Sequence, residues 1–321
     1  MNAVVVTNGF RPGRTASSTV ELIRTGLSRG HAIWVSDPEG LAYTTADGVR
    51  GELQPVVGVP PAGAGSPDLG PSADCEFAPD DFDALLLRIQ PPVDMAYLAA
   101  CQILERVESQ FVCLNRPSAI LAHPEKLAML SLPAHHPSTV VSRNRRVLDD
   151  FARRHGRVVV KPLYDFQGHG VMSLRHDDPN YSVALDLLES VYRAPIVMQE
   201  HLPAAAAGDK RVFVLDGLVI GSINRVPCGE GHRANLHAGG VAERAVLSED
   251  EQRAAETVAA RLSEVGLTFV GLDMIGGLVT EISTTSPTGF IDARDLTGVD
   301  IAASIWAWIE ARVAERPTVG A

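Results

Sequence analysis

The sequence predicts an α/β fold divided into two or three domains. The chain has 321 residues, which is more than one hydrophobic core usually organises. Its N-terminal third alternates short apolar runs with helical periodicity, a pattern typical of an α/β layer. Its last third carries two strong hairpin patterns, each with a glycine-containing turn. Together these features indicate a mixed α/β protein with separate parallel and antiparallel sheets.

The first domain is predicted to close near His123. Residues 59–74 are crowded with Pro, Gly, Ser and Ala, which is typical of a surface loop rather than of packed structure. The other segments follow strand and helix periodicities. The predicted elements are, in order, strand 3–7, helix 18–27, strand 31–35, strand 84–87, helix 95–108 and strand 111–114.

The middle of the chain predicts a small α+β unit. A run of valines makes residues 157–161 a strand, and a loop carrying Gly168 and Gly170 follows it. Residues 181–192 have helical spacing, and residues 196–198 form another apolar strand. The last third contains predicted hairpins over 211–224 and 269–282, which turn at Asp216-Gly217 and Gly276-Gly277.

Composition and charge exclude several classes of protein. Hydrophobic residues make up 45% and charged residues 21% of the chain, which is ordinary for a folded globular protein. The net charge of −11 repels a phosphate backbone, so nucleic acid and anionic membrane are not expected partners. The four cysteines have no metal-site spacing, and no apolar run has signal or membrane-span length. We therefore predict a cytoplasmic location.

Three familiar motifs can be set aside. Residues 26–30 match the Gly-x-Ser-x-Gly pattern of hydrolases, but here a predicted helix comes before the serine and a strand after it, which is the reverse order. Gly30 is instead expected to end the helix. Gly168-His169-Gly170 lacks the third glycine of a dinucleotide fingerprint, and no lysine-serine pair follows a glycine cluster.

Basic side chains in the middle and late chain suit a nucleotide with magnesium. Two acids on the second predicted hairpin, Asp273 and Glu281, would supply the carboxylates that magnesium prefers. The alternative is that these residues are solvated surface charges, because an isolated charged residue usually lies on the surface. The candidate phosphate-neutralising cations are Lys126, Lys161, Lys210, Arg211, Arg225 and Arg233.

The type of turn in the second hairpin decides whether the two acids can share a site. A three-residue turn centred on Gly277 would place Asp273 opposite Glu281, with Ser283 on the same face as Glu281. A two-residue turn at 276–277 would send the two acids to opposite faces unless a bulge intervened. The sequence leaves both alternatives open.

Ordered blocks along nearly the whole chain resemble prokaryotic glutathione synthetases of the ATP-grasp superfamily. The last of these blocks contains the two hairpin acids. In chain order the blocks are Arg88-Ile89-Gln90-Pro91-Pro92, Ile103-Leu104-Glu105, Asn115-Arg116-Pro117, Glu125-Lys126-Leu127, Lys161-Pro162-Leu163-Tyr164, Gly208-Asp209-Lys210-Arg211-Val212, Asn235-Leu236 with Gly239-Gly240, Phe269-Val270-Gly271-Leu272-Asp273, Thr280-Glu281-Ile282 and Thr285-Ser286-Pro287-Thr288-Gly289.

The resemblance implies an ATP-dependent carboxylate–amine (peptide) ligase. ATP would phosphorylate a small-molecule carboxylate, and an amine would displace phosphate from the acyl phosphate. It also implies an N-terminal pre-ATP-grasp α/β domain over 1–123, a small ATP-grasp lid over 124–200 and a C-terminal ATP-grasp subdomain over 201–321. The family further suggests a homo-oligomer, either a dimer or a tetramer.

Site residues are carried over from the resemblance by position. Arg225, Lys161 and Arg211 would be catalytic, and Asp273, Glu281 and Ser283 would bind Mg²⁺. The ATP site would comprise Lys126, Lys161, the flap glycines Gly168 and Gly170, the adenine hinge Gln199, Glu200, His201 and Leu202, and Asp209 beside the ribose. The substrate side would comprise Arg233, Asn235, Ser286, Pro287, Thr288 and Gly289.

Three positions depart from the family pattern. Asp165 and its neighbours replace glycines of the family's flap, which places an acid beside the phosphates. Ser283 stands where the family has a metal-binding asparagine, and its hydroxyl reaches less far. Ile291 replaces an arginine, which indicates an acid substrate with one fewer carboxylate, or one placed differently. These departures leave glutathione and a related amide equally open as the product.

Smaller features and rival functions stay open at this stage. Ser18 with Glu21 forms a capping-box pattern at the start of the first predicted helix, and substrate contact there is the minor alternative. One rival function is a kinase that phosphorylates its acid without ligation. The other is a non-catalytic ATP-binding protein on a ligase scaffold, which the altered flap and Ser283 would suit.

Overall fold

The computed structural model describes residues 1–10, 17–61, 65–78, 80–132, 135–165, 168–227 and 240–316. Its first sheet has the order β4-β3-β2-β1-β6-β7, and β5 pairs with β3. β1 runs parallel to β2 and β6, and β6 runs parallel to β7, whereas the β2–β3 pair is antiparallel. The strands are β1 (Asn2–Val6), β2 (Ala32–Thr44), β3 (Gly48–Gly58), β4 (Asp68–Leu69), β5 (Ala73–Glu76), β6 (Ala84–Leu87) and β7 (Val112–Leu114).

Helices connect strands of the first sheet and follow its last strand, β7. β6 is buried on both faces, as expected of a parallel strand packed between layers. The helices are α1 (Ser17–Ser28), α2 (Met95–Leu104), α3 (Pro117–Ala122) and α4 (Glu125–Ala128), with 3₁₀ turns at Glu108–Gln110 and Met129–Ser131. Asp94 caps α2 by accepting a hydrogen bond from the Tyr97 backbone N–H.

The second sheet is antiparallel, has the order β10-β9-β11-β8, and has a core of its own. That core packs α5 and α6 against the sheet through side chains such as Leu148, Leu185 and Met198. The elements are β8 (Thr139–Ser142), α5 (Arg145–His155), β9 (Arg157–Pro162), β10 (Met172–Arg175), α6 (Tyr181–Tyr192) and β11 (Ile196–Glu200).

The third sheet is antiparallel and has the order β14-β13-β12-β15-β16. Ser248 begins α7 with a reciprocal capping box to Glu251. After a 3₁₀ turn at Pro203–Ala207, the elements are β12 (Asp209–Leu215), β13 (Leu218–Val226), β14 (Val241–Arg244), α7 (Glu249–Glu264), β15 (Phe269–Ile275), β16 (Leu278–Ser283), α8 (Phe290–Thr297) and α9 (Ile301–Ala314).

The first and third sheets share continuous hydrophobic cores, whereas the second sheet does not join them. One shared core contains Leu85 of β6 and Leu272 of β15, and the other contains Leu86 and Phe269. Trp306 of α9 is fully buried and donates its indole N–H to the Leu22 carbonyl at 2.7 Å. The first and third sheets are therefore packed together as one unit. The second sheet is a separately packed unit that contacts it.

The mixed α/β fold expected from the sequence is confirmed. Strand 84–87 and helix 181–192 match β6 and α6, and α1 precedes β2 with Gly30 at φ +81° after the helix. The surface-loop prediction for 59–74 is wrong in part, because β4 and the start of β5 lie there and pair with β3. Short edge strands like these are held by backbone hydrogen bonds, which need no alternating side-chain pattern. Within the described ranges, every helix is too short or too polar to cross a membrane.

Candidate active site

The hairpin of β15 and β16 brings its two acids face to face. It turns through two residues, Gly276 at φ +58° and Gly277 at φ +83°, a turn that by itself would separate the acids. The register then shifts by one residue next to Asp273, so that Asp273 lies directly opposite Glu281. Thr280 is the extra residue of this bulge. The structure thus combines the two-residue turn with the bulge that the sequence left open.

The bulge also forms the contact between the hairpin and the second sheet. The Thr280 carbonyl accepts hydrogen bonds from Lys161 Nζ at 3.3 Å and from Gln199 Nε2 at 3.4 Å. The Thr280 hydroxyl donates to the Asp273 carbonyl at 3.2 Å. Since a bulge residue is left out of the ladder, its carbonyl is free to turn towards the neighbouring unit.

Four charged side chains form a buried centre on the third sheet. Arg211 donates to Asp273 through Nε at 2.5 Å and through Nη2 at 3.0 Å. Arg225 Nη2 lies 2.9 Å from Asp273 Oδ2 and donates to Asp209 Oδ2 at 2.5 Å. We call Asp209, Arg211, Arg225 and Asp273 the arginine–carboxylate centre. Its two positive and two negative charges balance, as buried charges require.

Burial and the opposing charges act together on the pKa values of this centre. Burial alone would raise the pKa of Asp273, but Arg211 and Arg225 outweigh it and lower that pKa. Burial raises the pKa of Asp209, and the positive charges around it, Arg225 first among them, only partly offset this. Asp209 Oδ1 and Arg225 Nε are buried and have no hydrogen-bond partner among the described residues. The centre therefore has one unused acceptor and one unused donor, both available to a ligand.

Two buried lysines reach the hairpin from outside the third sheet. Lys126 of α4 lies 3.8 Å from Glu281 Oε1 and donates a short hydrogen bond to the Asp165 carbonyl. Lys161 of β9 contacts the Thr280 carbonyl, and burial lowers its pKa. We call Lys126, Lys161, Thr280 and Glu281 the lysine–hairpin contact. An anionic ligand would stabilise both ammonium groups.

Glu125 is a carboxyl group of this site that the sequence analysis did not assign. Its Oε1 accepts the Thr284 backbone N–H at 3.0 Å, directly after β16. Burial, and next the nearby charge of Glu281, raise its pKa to about 7. Glu125 therefore anchors the end of β16 to α4.

The loop after β9 is tied to α4 through Asp165. Besides its carbonyl contact to Lys126, its Oδ1 lies 3.6 Å from His169 Nδ1. Gly168 and Gly170 have φ values of +75° and +66°. Phe166 and Gln167 lie outside the described residues. The acid that replaces a family glycine thus contacts His169 within its own loop and, through its carbonyl, Lys126 of α4.

The expected adenine hinge lies where the second sheet passes into the third. Gln199 is buried and hydrogen-bonds Thr139 Oγ1 at 3.3 Å in addition to Thr280. Glu200 Oε1 accepts the Ser138 N–H at 3.0 Å, and the His201 N–H donates to the Arg157 carbonyl at 3.2 Å. Leu202 precedes the 3₁₀ turn into β12. Through Gln199, the hinge segment therefore adjoins the lysine–hairpin contact.

The segment 286–289 is hydrogen-bonded by residues of the first sheet's layer and of the third sheet. The Pro287 carbonyl accepts from Arg88 Nη2 at 2.9 Å, and the Thr288 carbonyl accepts from Arg211 Nη1 at 3.5 Å. The Gly289 N–H donates to Ser18 Oγ at 3.1 Å. Ser286 Oγ is buried and, in the ranges that the structure describes, makes no hydrogen bond.

The capping-box prediction for Ser18 and Glu21 is wrong. α1 begins at Ser17, and the Ser18 hydroxyl accepts the first N–H groups of α8 instead. Glu21 pairs with Arg24 at 3.2 Å and with Arg294. Long-range contacts between α1 and α8 override the local pattern.

The donor set of the hairpin fits a divalent cation. Asp273 faces Glu281, and Ser283 lies two residues further along β16 on the same face as Glu281. No cluster of three His, Cys, Asp or Glu is found in the part of the chain that is described, so a third oxygen must come from Ser283 or from a bound phosphate. Arg233 and Asn235, expected on the substrate side, lie outside the described residues.

Arg88 and Asn115 belong to the family blocks noted in the sequence, but the sequence analysis gave neither of them a role in this region. Arg88 follows β6 and Asn115 follows β7, so both stand at the carboxyl edge of parallel strands. Asn115 binds the carbonyls of Phe269 and Thr284 at 2.7 and 2.6 Å. A polar residue directly after a fully apolar parallel strand is the signal that would have found them, because ligands bind at this edge.

Family models match most of the chain. The model described as prokaryotic glutathione synthetase, N-terminal domain, matches residues 6–120. The model described as prokaryotic glutathione synthetase, ATP-grasp domain, matches residues 125–298.

Similar proteins agree with the family models. The glutathione synthetase of Rhodopseudomonas palustris is 36% identical over 92% of this chain and 93% of its own, and that of Parasynechococcus marenigrum is 38% identical over 87% and 89%. Among solved structures, D-cycloserine synthetase DcsG has a TM-score of 0.65 at 17% identity, covering 98% of this chain and 100% of its own. The ATP-grasp ligase PsnB, complexed with minimal precursor, has a TM-score of 0.62 at 18% identity, with coverage of 96% and 98%. At such identities the solved structures show a common fold.

Proposed function

Because the chain belongs to the prokaryotic glutathione synthetase family of ATP-grasp ligases, we propose that it joins a small carboxylic acid to an amine at the site described above. ATP is the co-substrate, and the product is an amide. The boundaries at 123 and 200, a cytoplasmic location and a homo-oligomeric state stay predictions.

The lysine–hairpin contact is the proposed phosphate side of the site. Lys126 and Lys161 are buried cations, and in the described structure they contact Glu281 and two backbone carbonyls, those of Asp165 and Thr280. Bound phosphate oxygens would replace those weaker partners and offset the cost of burying two ammonium groups. Gln199 to Leu202 would hold the adenine through backbone groups. Asp209 Oδ1, for which the described part of the chain offers no donor, would accept a ribose hydroxyl.

Asp273, Glu281 and Ser283 would hold Mg²⁺, and the ion would neutralise phosphate charge as the phosphoryl group moves. Asp273 is ionised by its two arginines, so it can accept a cation at neutral pH. Ser283 stands where the family has asparagine, and its shorter side chain favours contact through water.

The joining chemistry has two steps. A carboxylate oxygen of the acid attacks the terminal phosphorus of ATP, so that a C–O–P linkage forms and ADP leaves. The amine then attacks the acyl carbon, the C–N bond forms, phosphate leaves, and the amine loses a proton. Arg225 and Arg211 would stabilise the negative charge that builds on the acyl oxygen, since both point into the same buried centre.

The observation that supports this proposal best is the opposition of Asp273 and Glu281, with Lys126 and Lys161 against the same hairpin. Purified protein with Mg²⁺, ATP, γ-glutamylcysteine and glycine should release phosphate and form the condensed peptide, detected by mass spectrometry. γ-Glutamylcysteine is the first acid to test because the curated relatives are glutathione synthetases.

A panel of other acids and amines tests the reaction class beyond that pair. Ser283 and Ile291 differ from the family pattern and adjoin the metal and substrate regions, so the preferred acid can differ from that of the relatives. Phosphate release that requires both acid and amine supports the proposal. Phosphorylated acid formed without amine and without condensation would instead indicate a kinase, and ATP binding without turnover of any pair would indicate a binding protein.

A further inference from the structure

Asp165 is an acid that stands where the family has a glycine, next to the proposed phosphate side of the site. Its backbone carbonyl accepts a short hydrogen bond from Lys126, which also contacts Glu281 at 3.8 Å. A phosphate that takes the place of this carbonyl at Lys126 would lie close to Asp165. An uncompensated carboxylate there would repel the phosphate, because like charges cost more energy where water is excluded. The direction of the Asp165 side chain therefore matters for nucleotide binding.

Two side chains hold the Asp165 carboxylate. The hydroxyl of Tyr192, the last residue of α6, donates a hydrogen bond to it, and His169 Nδ1 lies 3.6 Å from its Oδ1. The Asp165 side chain is only 15% exposed, whereas that of His169 is 57% exposed. Burial, and next the hydrogen bond to Asp165, raise the pKa of Tyr192 to about 12. Tyr192 is therefore protonated at neutral pH and can act as a donor.

The backbone of the loop after β9 approaches Tyr192 closely. Gly170 has φ +66°, and a Cβ built on it would lie 2.9 Å from the Tyr192 hydroxyl and 2.6 Å from Pro162 Cγ. A side chain at this position would have to displace both groups, and its backbone conformation would be strained. The Tyr192 hydroxyl thus contacts Asp165 at the start of the loop and lies against Gly170 near its end.

The main chain at Asp165 is fixed separately from its side chain. The Val93 N–H donates to the carbonyl of the preceding residue, Tyr164, at 3.3 Å, and Lys126 donates to the Asp165 carbonyl. These two carbonyls bind donors outside the second sheet, whereas the Asp165 carboxylate binds α6 within that unit. The carbonyl therefore keeps Lys126 beside the hairpin, and the carboxylate is held at a different place.

We propose that Tyr192 is a positioning residue for nucleotide binding, which holds the Asp165 carboxylate away from the phosphates that Lys126 binds. His169 supports the same position through its longer contact. Tyr192 and His169 act through Asp165 in this account and need not touch the nucleotide. The inference rests on the proposed ligase function, because that function assigns Lys126 to the phosphates of ATP. It explains how this chain can carry an acid where the family has a glycine.

The coupling between Tyr192 and Asp165 tests the inference on the complete chain. Calorimetry measures the Kd of the non-hydrolysable analogue AMPPNP, with Mg²⁺, for wild type, Tyr192→Phe, Asp165→Asn and the double variant. Tyr192→Phe removes the hydroxyl that holds the carboxylate, so the Kd should rise by about tenfold. In the Asp165→Asn background residue 165 has no charge, so adding Tyr192→Phe should change the Kd by less than about threefold.

Tyr181→Phe is the matched control. Tyr181 is the first residue of the same helix, and burial and next the charge of Asp149, an acid of α5, raise its pKa. Its loss should leave the Kd of AMPPNP within about twofold of wild type. His169→Leu removes the longer contact and should raise the Kd by about threefold, an effect that Asp165→Asn should cancel. Because His169 is largely exposed, this variant decides the question even if Tyr192→Phe does not fold.

The outcomes separate the two proposals. An unchanged Kd in Tyr192→Phe would overturn the role of Tyr192 and leave the ligase intact. The same rise in Kd with and without the Asp165 charge would also overturn it, because Tyr192 would then only support the structure of the loop. If wild type with Mg²⁺ bound no AMPPNP, the proposed ligase function would fail and this inference with it.

Discussion

The arginine–carboxylate centre and the lysine–hairpin contact hold similar charges in different ways. In the centre, Arg211, Arg225 and Asp273 meet at 2.5–3.0 Å across paired strands of one sheet. In the lysine–hairpin contact, the lysines come from outside that sheet and lie 3.3 and 3.8 Å from their hairpin partners. The centre is therefore assembled by folding, whereas the contact leaves its cations for a ligand to complete.

The packing of the two units explains this difference. The centre is built on the third sheet, which shares its cores with the first sheet. Lys161 belongs to the second sheet, whose core is separate, and its main link to the hairpin is the Thr280 carbonyl at the bulge. A unit with its own core can shift against its neighbour at little cost in packing. Folding stability should therefore depend on the centre, and nucleotide binding on the contact.

The largest expected effect comes from breaking the centre with Asp273→Asn. This change leaves Arg211 and Arg225 without their shared counter-ion, so the free energy of unfolding should fall by about 3–5 kcal/mol. Ligase activity should be lost as well. Chemical denaturation followed by circular dichroism measures the stability change.

Asp177→Asn is the matched control for that variant. Asp177 also makes a two-point contact with an arginine, Arg175, at 2.9 Å for both bonds, but this pair is exposed. Exposed pairs contribute about 0–1 kcal/mol, so its loss should be small. Equal losses in the two variants would contradict the view that burial makes the centre structural.

Lys161→Met tests the lysine–hairpin contact and should separate activity from stability. Removing a buried ammonium removes its desolvation cost, so the free energy of unfolding should stay within about 1 kcal/mol of wild type. The kcat/KM for ATP should fall by about 100-fold or more, because a phosphate contact is lost.

Arg157→Met is the control on the same strand, since Arg157 is exposed and its side chain donates to Ser173 Oγ at 2.9 Å. Its kcat/KM for ATP should stay within about twofold of wild type, as is usual for surface changes. If Lys161→Met lowered the free energy of unfolding as much as Asp273→Asn does, the lysine–hairpin contact would be structural.

The smallest expected effect concerns pH and Glu125. Its folded-state pKa of about 7 lies above the value of a free glutamate, so the folded protein binds this proton more tightly than the unfolded chain does. Stability from this group is present at low pH and is lost as pH rises from about 4.5 to 7. The loss should be on the order of 1–3 kcal/mol.

Glu125→Gln should flatten that part of the pH profile while its side-chain oxygen still accepts the Thr284 N–H. Denaturation midpoints of wild type and variant, measured at half-unit intervals between pH 4.5 and 8, give the difference. A variant whose profile runs parallel to that of wild type would place the titration elsewhere.

Local patterns predicted the elements that depend on local sequence. β6, α6 and both hairpins lie where periodicity and turn residues placed them. The bulge at Thr280 could not be predicted, because it depends on pairing with β15 and on donors from the second sheet. The Ser18 capping box failed for a similar reason, since its hydroxyl binds α8 from 271 positions away in the sequence.

The site residues show the same contrast between what local sequence reveals and what depends on long-range contacts. The acids and cations were recognised by type and by family resemblance, but the sequence could not tell which cations would already be neutralised. Arg88 is one example: it looks like any other arginine in the sequence, but within the described part of the chain its side chain is buried against two neutral acceptors, Thr19 Oγ1 and the Pro287 carbonyl. Charge balance inside a protein depends on contacts between distant segments, and a single sequence does not reveal these contacts.

Transfer of ¹⁸O from the acid to phosphate tests the central claim most directly. The acid that supports turnover is labelled in its reacting carboxylate, and the released phosphate is analysed by mass spectrometry. Attack of that carboxylate on ATP predicts one ¹⁸O atom in each phosphate. Unlabelled phosphate released alongside the amide would contradict the acyl-phosphate route.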